Sequence, residues 1–355
     1  MNNKLLHDRL AGTLLGTAVG DALGLYMEGL SAESIRAQFP SQADIARYYL
    51  VGNIGFVSDD TEQSALLGQA LISSSPNLSR SVKSFRSSML GWFCRMPFGV
   101  GRATSSSCMK ILMGAKATGI RSAGNGAAMR AAILGVFFYD DQHLRQQFGT
   151  ALAEVTHTDA RAVEGALFVA DLAAACANSD SADEATRLKC FDQSIAVVQE
   201  ASLKEVLKKA RELAVRGASI DDAGTQLGCS GFVNHSVPLA TFAFLRFGDN
   251  CLSAIQATVT AGGDTDSNAA IVGALCGALL GERGLPAKQI QPINDGPFGP
   301  THLRKLAKAL ADSKEGIDVA VPGYLWPVAF ARNVAVIPIL LSHTCLRLAR
   351  RGKVT

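Results

Sequence analysis

The sequence predicts an all-α fold, and three features carry that prediction. Alternating β-branched runs bounded by turns, the period-2 signature of strands, do not occur. Apolar residues instead recur at helical spacing along most of the 355 residues. Small residues return every fourth position at Gly12, Gly16, Gly20 and Gly24, and again at Ala269, Gly273, Gly277 and Gly281. Glycine costs a helix about 1 kcal/mol relative to alanine, so two such ridges need a compensating close approach by other helices. Membrane helices use the same device, but Asp21 and Glu28 flank the first ridge, and neither helix offers an uninterrupted apolar span of about 20 residues. Tight packing inside a soluble bundle is expected.

In chain order, helical periodicity covers residues 5–25, 61–73, 81–95, 127–139, 160–177, 182–199, 203–216, 237–246, 267–280 and 303–311. Residues 39–58, with Pro40, Gly52 and Gly55, read as irregular. No low-complexity linker and no repeat of fixed period divides the chain. We therefore expect one domain over residues 1–320, followed by an apolar and basic helical extension over residues 321–355. The extension ends in arginines, as a membrane-surface helix does. Arg332, Pro338 and His343 interrupt it, which favours a helix packed on the body over contact with a bilayer. The basic run Arg347, Arg350, Arg351 and Lys353 reads as a solvated tail.

Composition narrows the function classes. With 48% hydrophobic and 18% charged residues, the chain can bury a large core and is not disordered. A net charge of +3, no basic block in the body and few aromatics argue against a nucleic-acid partner. Eight cysteines lie scattered without a C-x-x-C pair, which fits free thiols in a reducing compartment better than disulfides or a zinc site. The polar start MNNKLLHDRL lacks the apolar core of a signal peptide, so a cytoplasmic location, as a monomer, is expected.

Two acidic stretches stand out. FVSDDTEQSALL at residues 56–67 and AGGDTDSNAA at residues 261–270 each put two aspartates and hydroxyls where a loop becomes a helix. Capping accounts for one Asp and one hydroxyl per helix, since side-chain oxygens accept from the first free N–H groups and acids suit the positive end of the dipole. It does not account for Asp59 beside Asp60, or for Asp264 with Asp266. Hard divalent cations, which take oxygen ligands in near-octahedral geometry, are the other reading. Two facing helix starts could offer Ser58, Asp59 and Asp60 from one side and Asp264, Asp266 and Ser267 from the other. From spacing alone both readings stand.

Five segments together resemble the ADP-ribosylglycohydrolase family. They are GTLLGTAVGDALG with Glu28, SDDT, SAGNGAAMRAAILGVF, VTHTDARAVEGAL and GGDTDSNAAIVGALCGALLG, in the family's order over roughly residues 8–285. The resemblance implies an all-α domain with two magnesium (or manganese) ions held by Ser58, Asp59, Asp60, Asp264, Asp266 and Ser267. It implies that Glu28 lies on a loop able to gate the cleft and acts in catalysis. It also implies that Gly124, Asn125 and Gly126 meet the diphosphate and distal ribose through backbone N–H groups, with His157 lining the same pocket. Asp21 is expected to support the ligands by hydrogen bonds rather than to ligate. The chain departs from many relatives at Gly99, where they have an aspartate, and at Arg102, where asparagine is common.

The implied reaction is hydrolysis at C1 of the distal ribose, with the two ions orienting a water, Asp264 and Asp266 placing it, and Glu28 moving the proton. The expected substrate is an ADP-ribosylated protein, arginine-linked by preference. The alternatives are a free ADP-ribose derivative, or an immunity-type role that neutralises an ADP-ribosyltransferase toxin.

Overall fold

The computed structural model describes residues 1–74 and 76–351, with side chains in the last helix given as far as Ile339 and at Ser342. The side chains of Cys345, Arg347, Arg350 and Arg351, and the whole of Lys353, fall outside what is described. Among the described residues every regular element is helical, and β-pairing is confined to isolated bridges between loops.

The core is built on one antiparallel helix pair. Asn3–Gly24 and Thr265–Leu280 are buried along almost their whole length. Their glycine ridges face each other. A Cβ on Gly12 would lie 2.4 Å from the Gly277 carbonyl oxygen, on Gly16 2.1 Å from that of Gly273, on Gly20 2.0 Å from that of Ala269, and on Gly24 2.4 Å from that of Thr265. The two ridges seen separately in the sequence are thus each other's partner. Backbone approaches this close are open only to residues without a Cβ.

One expectation is corrected. The stretch Asn3–Met27 is long and apolar enough to cross a membrane, contrary to the reading above, yet 94% of its most apolar window lies inside the protein. It is the central core helix, and its apolarity reflects burial on all sides.

Most predicted helices appear within a few residues of their expected bounds, including Asp59–Ser74, Leu78–Phe93, Ala160–Ala177 and Pro300–Lys314. The helix expected over 127–139 is broken instead. A short 3-10 turn at Asn125–Ala127 precedes Ala132–Phe137, and Arg130, between them, turns into the interior. Arg102–Leu112, Gln142–Ala153, Ile220–Leu227 and Cys251–Thr260 form without having been predicted. The first of these begins RATSSS, whose Ser and Thr residues have weak helix propensity, so packing rather than local preference makes it helical.

The final helix, Trp326–Arg351, packs on the body through Ala329, Asn333 and Val336, which are buried. All seven described cysteines are free.

Candidate active site in a carboxylate-lined cleft

The ridge pair brings two loops together at one end of the bundle. Thr265 Oγ1 donates to the Gly24 carbonyl at 2.8 Å, tying the end of the first helix to the start of its partner. The chain beyond is stitched across: Gly29 N–H donates to Gly263 O and Gly263 N–H to Leu30 O, each at 2.8 Å. Gly263 has φ +79°, and a Cβ there would meet the Cys229 carbonyl oxygen at 2.3 Å. Only glycine allows that path. As a result Glu28, Asp264 and Asp266 offer carboxylate oxygens within 4.8 Å of one another, graded from exposed through half-buried to buried. Like charges at that spacing repel by roughly 3 kcal/mol at an effective dielectric near 20.

The second acidic pair approaches from Asp59–Ser74. The cap of this helix comes from elsewhere in the chain. Asp21, fully buried on the first helix, accepts from Ser58 N–H at 2.9 Å, Thr61 N–H at 3.2 Å and Thr61 Oγ1–H at 2.5 Å. Nor does the Asp264 side chain cap its own helix. Capping therefore does not occupy Asp59, Asp60 or Asp264, while Asp266 Oδ1 accepts from the Ser267 N–H at 2.9 Å in the first turn of its helix. Ser58 Oγ and Ser267 Oγ, from the two helix starts, each donate to Asp60 Oδ2 at 3.3 Å. Asp60 Oδ1 is buried with no hydrogen-bond partner. Asp59 Oδ2 accepts from Gln63 Nε2 at 2.9 Å.

Burial, reinforced by the neighbouring carboxylates, pushes Asp59, Asp60 and Asp266 well above the usual carboxylate range. Burial raises Asp21 to about 6 against the pull of its hydrogen bonds. The folded-state pKa lies above the unfolded one, so protons favour the fold here, and that stability is lost as pH rises from about 4 through about 6. In EDTA the thermal midpoint is expected to fall across this window less steeply for Asp60→Asn than for the wild type. Magnesium should restore the wild type most at neutral pH, where the ligands are ionised. Unfolding followed by circular dichroism at pH 4.5, 6 and 7.5 checks both.

The opposite wall is the glycine-rich segment. Asn125 N–H donates to Gly231 O at 2.9 Å, and Gly124 bridges to Phe232. The Asn125 side chain donates to Asp264 Oδ2 at 2.7 Å and to Ser236 Oγ at 2.9 Å, so it orients an acid as well as lining the cleft. His157 shares a 2.8 Å hydrogen bond between Nδ1 and Thr156 Oγ1, and Nε2 turns toward Gly124. Burial, with Arg130 nearby, lowers its pKa to about 3, which leaves a neutral ring at physiological pH.

Sequence reasoning missed the connection between these walls. Buried Arg130 donates to Gln63 Oε1 at 2.6 Å, Gly126 O at 2.7 Å and Thr156 Oγ1 at 2.7 Å. Through Gln63 it reaches Asp59, and through Thr156 it reaches His157. The arginine sits within SAGNGAAMR, but nothing in that pattern indicates that its partners are a glutamine 67 positions earlier and a threonine 26 positions later. His235 pairs with Ser230 Oγ at 2.8 Å, beside the Phe232 ring. At Gly99, φ is +81° and a Cβ would lie 2.4 Å from Asp59 Oδ1, so a side chain there would displace that carboxylate. Arg102 lines the same rim. The open cleft has a volume of about 460 Å³, bounded by Glu28, Asp59, Arg102, Asn125, His157 and Asp266 among others.

An all-helical domain with buried acids converging on a cleft this size defines an enzyme whose site offers oxygen donors for charge stabilisation. The family is specific. The ADP-ribosylglycohydrolase model matches residues 2–318, and the chain belongs to that family of hydrolases. It is 31% identical over 317 residues to an uncharacterized protein of Archaeoglobus fulgidus, covering 86% of this chain and 96% of that protein. It is 24% identical to an ADP-ribosylarginine hydrolase of Pseudomonas putida, covering 88% and 80% of the two. A solved ADP-ribosylglycohydrolase-related protein complex superposes with a TM-score of 0.67 at 25% identity, over 88% of this chain and 99% of that one.

Proposed function

We propose that the protein is a cytoplasmic, divalent-metal-dependent hydrolase that cleaves C1 of the distal ribose from the acceptor side chain of a mono-ADP-ribosylated protein, releasing ADP-ribose. The arginine-linked acceptor is favoured, as the name of the Pseudomonas putida relative suggests. One observation carries the metal part: Asp60 Oδ1 is buried and unpartnered amid carboxylates that repel one another. Such an oxygen is costly to bury, and a doubly charged ion with oxygen ligands removes that cost. Ser58, Asp59 and Asp60 from one helix start, and Asp264, Asp266 and Ser267 from the other, would hold two magnesium ions. Manganese would accept the same donors. Bound there, the ions supply Lewis-acid stabilisation of charge on oxygen.

The chain's own residues do the rest. Asp264 and Asp266 place the attacking water, and Glu28, exposed at the mouth, moves the proton. Gly124 and Gly126 let the backbone approach the diphosphate, and neutral His157 offers a hydrogen bond without adding charge. A second reading follows from Arg102: positive charge on the rim opposes a cationic guanidinium and suits a neutral acceptor such as serine, or a free ADP-ribose derivative.

The test follows released ADP-ribose from arginine-linked and serine-linked proteins and from acetylated ADP-ribose, with magnesium and with EDTA. Magnesium-dependent release from the arginine-linked protein is expected. Equal release in the chelator defeats the metal reading. A stable complex with an ADP-ribosyltransferase that survives loss of the aspartates would point to the immunity role instead.

A further inference from the structure

Glu62 shares the first turn of its helix with Asp59 and Asp60, yet it lies outside the cleft. It is buried and grips three donors. Trp92 Nε1 donates at 2.6 Å and Arg95 Nη2 at 2.9 Å to Oε2, while Arg332 Nη2 donates to Oε1. Arg332 belongs to the final helix, beyond residue 318, where the family match ends. Its other amino group donates to Pro297 O at 3.0 Å, and it leans on Asn333 Oδ1 at 2.7 Å. Asn333, fully buried, donates to the Arg95 carbonyl at 3.0 Å. The Arg95 guanidinium lies against both the Phe298 and Tyr324 rings, 4.5 and 4.6 Å from their centroids, and the two rings pack on each other.

A helix that turns about its axis carries all the side chains of one turn with it. The aim of Asp59 into the cleft, and the placement of buried Asp60 against Ser58 and Ser267, are therefore set partly by whatever holds Glu62. Charge-assisted hydrogen bonds to a buried carboxylate are short and strong, and two arginines converge on this one. We propose that the C-terminal helix is a working part of the acidic centre: Arg332, steadied by Asn333, is a positioning residue that locks the Asp59–Ser74 helix through Glu62 and so sets its affinity for divalent ions. The inference rests on the metal reading above. It gives the extension a role in the soluble enzyme and needs no membrane.

The test uses the full chain without substrate. Free manganese is followed by electron paramagnetic resonance during titration, and folding is followed by circular dichroism in EDTA. Arg332→Ala is expected to weaken manganese binding per folded molecule by about 10-fold or more, the usual loss when a ligand's supporting partner goes. Arg332→Lys should recover part of that loss, and Asn333→Ala should show a smaller one. A purely structural role would lower the thermal midpoint and leave manganese affinity unchanged. Wild-type affinity in folded Arg332→Ala overturns the proposal. If that variant does not fold, wild-type affinity in both Arg332→Lys and Asn333→Ala overturns it. The Asp266→Ala control should bind no manganese with the clamp intact. Absence of binding by the wild type instead removes the metal reading, and this inference with it.

Discussion

Asp266→Ala and Asp60→Ala are each expected to abolish magnesium-dependent release of ADP-ribose, by about 10³-fold or more, because each removes a ligand of the proposed metal centre. The same variants should be more stable than the wild type in EDTA. Asp60 and Asp266 are buried among like charges, with Asp60 Oδ1 unpartnered, so deleting either carboxylate relieves repulsion in the metal-free fold. This is the signature of a site that sacrifices stability for function. Loss of activity with raised metal-free stability separates it from simple unfolding. Turnover by either variant in a chelator at the wild-type rate would sink the mechanism.

Gly16→Ala is expected to destabilise the protein by about 3 kcal/mol or more, at the upper end for overpacking by one methyl group. The new Cβ would stand 2.1 Å from the Gly273 carbonyl oxygen, and the obstacle is backbone that cannot rotate away. Either the central pair separates along its length or the chain fails to fold. Gly91→Ala is the matched control. Gly91 also sits in a helix, Leu78–Phe93, but nothing lies within 4 Å of its added Cβ. That change should stabilise by about 0.5–1 kcal/mol through helix propensity. Urea denaturation of the two variants measures both shifts. A Gly16→Ala variant as stable as the wild type would mean that the two ridges do not meet.

Much of the site was legible because its parts are local. Asp59 and Asp60 announce themselves by adjacency at a helix start, as do Asp264 and Asp266, and the structure brings all four to one end of the bundle. Glycine at Gly124 and Gly126 likewise marks a close approach that the structure contains. His157 packs against that segment, its Cε1 2.8 Å from where a Gly126 Cβ would be. Arg130 was not legible as part of the site, nor Glu62 as a buried neighbour of it. An arginine or a glutamate inside a helical pattern reads as a surface charge, and only burial beside specific partners distinguishes it. The short helices went unpredicted for a different reason, since at 8 to 12 residues each they span too few turns for a periodic pattern to stand out.

From sequence alone came the all-helical class, the two small-residue ridges, the acidic helix starts and the resemblance that joins them, because each is written within a few turns of chain. Tertiary structure decided that the ridges face one another, that Asp21 caps a helix 37 residues away, and that Arg332 reaches Glu62 across 270 positions. Those pairings depend on which surfaces meet when the core closes. Helical periodicity encodes that a face will be buried, but not against what.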